Sequence, residues 1–276
     1  MHLSVFYNHI VRASEQTGLT LEEVLNRVHE FGISAVELDL EEALGCGKEV
    51  MKKRLEQAGI SVASMYGFFD FGNDPDTKPG FEFIDTAEYL GAGKVLIIPG
   101  FVDETASAEE RNTALQKMAG TLNIICDYAE RKRILVTMED FDDIRAPFSG
   151  SDELLWFLEQ VPKLHITFDT GNFIYRGEDE LEAFEKLKHR IVHVHCKDRS
   201  RDEQNGGMPK LAMSGARLFP SPAGYGFIPI EEILTRLKAG GYDDTLAIEH
   251  FDAVDHLGYM EQSAEWLRSS WAKKPV

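Results

Sequence analysis

The amino-acid sequence predicts one (β/α)8 TIM barrel of the α/β class spanning residues 1–276, and three observations carry that expectation. Short β-branched runs alternate with amphipathic helical segments along the whole chain, and the alternation yields eight strands. No G-x-G-x-x-G follows the first strand, which counts against a doubly wound dinucleotide-binding sheet. The 276 residues, 43% hydrophobic, suffice for a continuous core and argue against disorder.

The first repeating unit sets the pattern. Thr20 and Glu23 have capping-box spacing, Leu21, Val24, Leu25 and Val28 form one apolar face, Gly32 stops the helix, and ISAVEL follows as a strand. Gly59 before ISVASMY, Gly91 and Gly93 before KVLIIPG, and Gly240 and Gly241 before TLAIEHF repeat it. Strands are expected near residues 2–7, 34–38, 60–66, 93–98, 133–139, 164–169, 190–196 and 244–250. Leu115, Met118, Ala119, Leu122 and Ile125 stripe one intervening helix, and Trp266 and Leu267 belong to the last. Residues 199–226 break the rhythm: they contain Gly206, Gly207, Gly215, Pro209, Pro220 and Pro222 and no sustained apolar period. This segment follows the seventh strand, so it falls at the C-terminal face of the barrel and is expected to cover a bound substrate.

Charge and cysteine usage narrow the partners. Lys plus Arg number 29 against 47 Asp plus Glu, and the net charge of −18 repels polyanions, making nucleic acid a poor partner. Cys46, Cys126 and Cys196 show no paired or CxxC spacing and read as reduced thiols. The segment MHLSVFYNHI has no signal-peptide architecture, and no apolar run approaches the roughly 20 residues of a membrane span. A cytoplasmic protein starting at Met1, with no membrane partner, is the expectation; a homo-oligomer is left open.

Four late strands end in metal-ligating residue types: Glu139 in ILVTMED, Asp169 in HITFDTGN, His195 in VHVHCKD and Glu249 in TLAIEHF. Strand ends on one rim of a closed barrel converge on a single mouth, so residues far apart in sequence become neighbours. Singly each is ambiguous, because a strand-end carboxylate also caps helices and a lone histidine also packs in cores. Together they predict one divalent ion in a hard, mostly oxygen site, Mn2+ first, with Mg2+, Co2+ and Zn2+ compatible. Strand periodicity places His193, His195 and Lys197 on one face and Cys196 and Asp198 on the other. His193 either supports the site from behind or packs in the core, and Lys197 either holds a substrate oxygen or is solvated. His250 points opposite to Glu249 and reads as structural.

This constellation resembles the xylose-isomerase-like barrel superfamily of sugar phosphate isomerases and epimerases, over essentially the whole chain. The superfamily pattern has a Glu closing the fifth strand, an Asp in a D-T-G-N or D-T-x-H turn, a His two positions before K-D, and a Glu in an I-E ending. These fall on Glu139, Asp169, His195 and Glu249. The resemblance implies a small-molecule carbohydrate substrate, with relatives that include ketose 3-epimerases, hydroxypyruvate isomerases, inosose dehydratases and an abasic-site endonuclease. Ketose 3-epimerases carry His where this chain has Asn172 and Glu where it has Arg145, while the Arg they place six after the metal His is present as Arg201. The departures count against a strict ketohexose epimerase. Asn172, His193, Lys197 and Arg201 are the candidate substrate-binding residues; Arg145, Lys197, Arg201 and Arg217 either favour an anionic substrate or are surface cations.

The chemistry such a site performs is proton removal beside a carbonyl, with a cation polarising the oxygens and stabilising an enediolate. Glu139 and Glu249 are the candidate catalytic pair, one taking and one returning a proton, unless both are only ligands. An inosose-type dehydratase using the same metal site is the first alternative. An abasic-site-endonuclease-like hydrolase ranks lower, because SVASMYGFFDFGN and VLIIPGF lack the histidines a multi-metal site needs and the charge opposes DNA. A non-catalytic sugar-binding barrel ranks last.

Overall fold

The computed structural model describes residues 1–273. Eight strands, β1 His2–Phe6, β2 Ala35–Asp39, β3 Ser61–Phe68, β4 Lys94–Ile98, β5 Leu135–Met138, β6 His165–Asp169, β7 Ile191–Ser200 and β10 Thr245–Glu249, pair in parallel in chain order. Because β10 pairs with β1 and with β7, the sheet closes on itself into the expected barrel. Two further strands, β8 Lys210–Leu211 and β9 Arg217–Ser221, stand outside that ring. The helices are α1 Tyr7–Thr17, α2 Leu21–Glu30, α3 Leu40–Gly45, α4 Lys48–Gln57, α5 Lys78–Leu90, α6 Ala108–Arg131, α7 Ser151–Gln160, α8 Glu180–Leu187, α9 Ile230–Ala239 and α10 His256–Ala272. No helix among the described residues is long and apolar enough to cross a membrane. Cys46, Cys126 and Cys196 are all free.

Local sequence accounts for most elements. At α2 the Thr20 side chain accepts from the Glu23 amide and the Glu23 carboxylate accepts from the Thr20 amide, a reciprocal cap, while Val24, Leu25 and Val28 are buried. Along α6 Met118, Ala119, Leu122 and Ile125 are buried, with Leu115 at the margin. One helix was hidden: the chain turns helical already at Tyr7, where the first strand was expected to continue. Tyr7, Ile10 and Ala13 bury one face of α1, but the preceding apolar run reads as a continuing strand.

The irregular segment is more ordered than its composition suggests. β7 runs on past the barrel to Ser200, and β9 pairs with it antiparallel, Asp198 opposite Ser221 and Ser200 opposite Phe219. Lys210 then pairs with Leu218, so a small β-ribbon rises from the rim. Its strands are too short, and its prolines and glycines too dense, to leave an alternating pattern in the sequence. Asp198 fixes its base: the buried carboxylate accepts from the amides of Gly224 at 2.8 Å, Gly226 at 2.9 Å and Ile228 at 3.2 Å. A Cβ at Gly226 would lie 2.1 Å from Asp198 Oδ1, so the close approach requires glycine. Asp198→Ala orphans these three amides and that of Arg199, and is expected to lower stability by roughly 2–3 kcal/mol, read by chemical denaturation; a change within experimental error contradicts the anchoring role.

Candidate active site

A cavity of about 310 Å3 opens at the C-terminal mouth of the barrel. Aromatic rings of Phe6, Tyr66, Phe68, Phe141 and Phe251 form one wall, and polar groups from β5, β6, β7 and β10 form the floor and the opposite wall. A larger groove of about 780 Å3 lies at the other end, beside Phe184, Leu237 and Tyr242, and none of the candidate site residues reaches it.

The D-T-G-N turn shows how local sequence builds the floor. Asp169 ends β6, and its Oδ1 accepts from the Gly171 amide at 2.7 Å, which leaves Oδ2 aimed inward. Thr170 Oγ1 both donates to the Lys197 carbonyl at 2.8 Å and accepts from the Lys197 amide at 2.9 Å, lacing β6 to β7. Gly171 passes so close to that strand that a Cβ would sit 2.5 Å from the Lys197 carbonyl oxygen. Asn172 donates to the Asp140 carbonyl at 2.9 Å and accepts from Lys197 Nζ at 2.8 Å. Gly171→Ala is therefore expected to destabilise the fold by roughly 1–3 kcal/mol, since backbone on a barrel strand cannot give way. A thermal melt matching the parent protein would contradict this steric reading.

Glu139, Asp169, His195 and Glu249 come together as the strand ends require. His195 Nδ1 lies 2.8 Å from Glu139 Oε2 and 3.2 Å from Glu249 Oε2, and Lys197 Nζ lies 3.1 Å from Asp169 Oδ2 and also contacts Glu249 Oε1. One inward atom from each of the four residues, Glu139 Oε2, Asp169 Oδ2, His195 Nδ1 and Glu249 Oε2, is buried with no hydrogen-bond partner. The close His195 contacts are out of hydrogen-bond alignment, so these atoms converge without satisfying one another. Unsatisfied buried polar atoms are costly; those of Glu139, Asp169 and His195 form a donor set that a cation would complete, with Glu249 alongside at His195. Atoms of Glu139, Asp169 and His195 lie mutually within 4.8 Å, which fits a single ion.

Electrostatics agree with the geometry. Burial, opposed by Lys197, pushes the Asp169 carboxyl well above its ordinary range. Burial likewise raises Glu139, despite His195 beside it. At Glu249 burial is outweighed by Lys197 and His195, which hold its carboxyl below the usual range. At His195 burial is outweighed by Glu139 and Glu249, and its pKa rises. Three carboxyl groups crowd the Lys197 ammonium and the His195 ring in a space shut off from water, a mutual repulsion that a divalent cation would relieve. Asp140, with both carboxyl oxygens buried and unpartnered, is raised by burial and then by Asp169 and Glu139.

The other candidates divide. Lys197 and Asn172 line the cavity. His193 does not: it is fully buried beneath the floor, its Nε2 donating to Glu37 at 3.1 Å and its Nδ1 accepting from Lys94 at 3.3 Å. The substrate-binding expectation for His193 is thus replaced by a polar barrel layer that also contains Ser4. Arg201 is corrected as well, because it is exposed and stacks its guanidinium 4.4 Å from the Phe227 ring centroid. Arg145 pairs with Asp143 and Arg217 with Glu203, both on the outside. Arg199 and Lys210, not singled out in the sequence, line the cavity instead. His250 stacks on His9 with centroids 4.2 Å apart and 24° between the planes, and the His250 amide donates to His9 Nε2 at 2.9 Å. This buried pair, with the tilted ring of His256 beside it, sits where the end of β10 meets α1 and α10, and ring nitrogens of the three lie within 4.8 Å of one another.

A family model for the xylose isomerase-like TIM barrel matches residues 25–270. An inosose dehydratase of Clostridium perfringens (strain 13 / Type A) is 26% identical over 220 residues, covering 73% of each chain. Among solved structures, the IOLI protein with a zinc atom superposes with a TM-score of 0.74 at 16% identity, over 99% of this chain and 98% of that one. D-psicose 3-epimerase with D-tagatose, from Clostridium cellulolyticum H10, gives a TM-score of 0.74 at 14% identity, over 98% and 99%. At such identities the structural likenesses show the fold alone. The family-model match across most of the barrel shows more: the chain belongs to the xylose isomerase-like TIM-barrel family.

Proposed function

We propose that the protein is a divalent-metal-dependent sugar isomerase or epimerase that moves a proton beside the carbonyl of a polyhydroxy ketone. The observation carrying this reading is the set of four unpartnered buried donor atoms on Glu139, Asp169, His195 and Glu249, which would hold the ion. When bound there, a hard cation such as Mn2+ or Mg2+ polarises carbonyl and hydroxyl oxygens and makes the adjacent C–H more acidic. Glu139 and Glu249 both line the cavity; Glu139, whose carboxyl burial raises, takes the proton, and Glu249 is the candidate to return one. Lys197, whose ammonium is taken up by Asp169, Glu249 and Asn172, holds those three groups in place at the edge of the cavity.

A dehydratase is the second reading, favoured by the names of the curated relatives, inosose dehydratases at 24–27% identity. In that reaction Glu139 takes the same proton, the β-carbon–oxygen bond breaks, and the proton held by the Glu139 carboxyl is passed to the departing hydroxyl, which leaves as water. Turnover of ketohexoses, their phosphates, keto-inositols and short hydroxy-ketoacids with Mn2+ in D2O, read by NMR and mass, separates the two. An isomer carrying one deuterium supports the first reading, and loss of the mass of water supports the second. An isomer without label would contradict proton transfer with solvent exchange and return Glu139 and Glu249 to the role of ligands.

A further inference from the structure

We propose that the cavity recognises an oxyanion on its substrate, a carboxylate or a phosphate ester, through Arg199 and Lys210 at the foot of the β-ribbon. The inference rests on reading this cavity as the substrate site and is independent of which reaction follows. Both residues line the cavity, and both reach the same carboxylate: Arg199 Nη2 lies 2.9 Å from Asp142 Oδ2 and Lys210 Nζ 3.3 Å from Asp142 Oδ1. Two cations sharing one carboxylate leave one positive charge uncompensated, in a chain whose net charge is −18. Asp252 also lines the cavity, on the β10 side, whereas Asp142, Arg199 and Lys210 form one contiguous group.

Arg199 is buried, and burial of a guanidinium asks for full hydrogen bonding. Its Nε donates to the Gly171 carbonyl at 3.4 Å and its Nη2 to Asp142, while Nη1 makes no hydrogen bond among the described residues. A rigid fork with one uncommitted nitrogen, on a residue that lines a cavity, is suited to an oxyanion. Lys197 cannot serve this purpose, because its ammonium is committed to Asp169, Glu249 and Asn172. Arg145, Arg201 and Arg217 lie outside the cavity. The ribbon thereby acquires a role beyond cover: β7 carries Arg199 up to the rim and β8 brings Lys210 over it.

Calorimetric titration with three cyclohexane polyols, neutral myo-inositol, the carboxylate quinate and myo-inositol 1-phosphate, tests this on the intact protein as purified and after dialysis against chelator. At least one anionic ligand is expected to bind about ten-fold or more tightly than myo-inositol, and which one identifies the oxyanion. Lys210→Met and Arg199→Gln should each cut that preference to within about two-fold, with the melting temperature of Lys210→Met unchanged. Equal binding of all three ligands overturns the proposal, as does a preference that survives both substitutions. A preference abolished by chelator but indifferent to Lys210→Met also overturns it, because the anion then sits on the cation. Metal content measured on the same samples separates the two readings: a preference kept after chelation supports Arg199 and Lys210 as the anion site, and chelated protein that takes up no Mn2+ when it is supplied again contradicts the metal site only.

Discussion

Asp169→Asn is expected to abolish stoichiometric metal binding and to lower kcat/KM by about 10^3-fold or more, the scale of losing a main electrostatic contribution to a transition state. The substitution is nearly isosteric and keeps an oxygen to accept from the Gly171 amide at the D-T-G-N turn, so β6 remains laced to β7. It removes one of three carboxylates that crowd a buried space around a single ammonium. Without an ion, those carboxylates repel one another and have lost their hydration. Asp169→Asn should therefore leave the chelator-treated protein as stable as the parent or more so, even as activity disappears. A variant that loses activity through unfolding would show the opposite sign in a thermal melt, and a variant that keeps its metal would contradict the ligand assignment.

The second large effect is expected at Glu139. Glu139→Gln keeps the side-chain volume and removes the proton acceptor, so kcat should fall by about 10^2- to 10^4-fold, the usual contribution of a general base. Because Glu139 is also one of the four converging donors, the assay is run at saturating Mn2+, where residual ion binding by Asp169, His195 and Glu249 is restored by mass action. Under those conditions solvent deuterium should enter neither product nor recovered substrate. A Glu139→Gln variant that still exchanges the substrate proton at the parent rate would move the base elsewhere, with Glu249 the next carboxylate on the cavity.

The barrel was legible because parallel strands and amphipathic helices leave strong periodicities, and each helix stop placed a strand within a few residues. The four converging residues were legible for a topological reason: closure of the sheet brings strand ends together whatever their separation in sequence. What stayed hidden depends on contacts between segments. Arg199 and Asp198 are adjacent on β7, yet one lines the cavity and the other anchors the ribbon through three amides, a division set by β9, whose pairing leaves no periodic signal. His193 shares a strand face with His195 and so looked like part of the site. Two residues along a strand is a full layer of barrel depth, and Glu37 and Lys94 hold His193 in the layer below. Arg201 sits where relatives' spacing suggested a substrate contact, but β7 has ended at Ser200 and the chain turns outward.

The account depends most on the claim that Glu139, Asp169, His195 and Glu249 hold one divalent ion. Elemental analysis of the purified protein, after loading with Mn2+ and removal of excess, tests it without reference to any substrate. One ion per chain is expected in the parent, with loss of that ion in the Asp169→Ala, His195→Ala double variant. Full activity after complete metal removal, or unchanged metal content in the double variant, would contradict it.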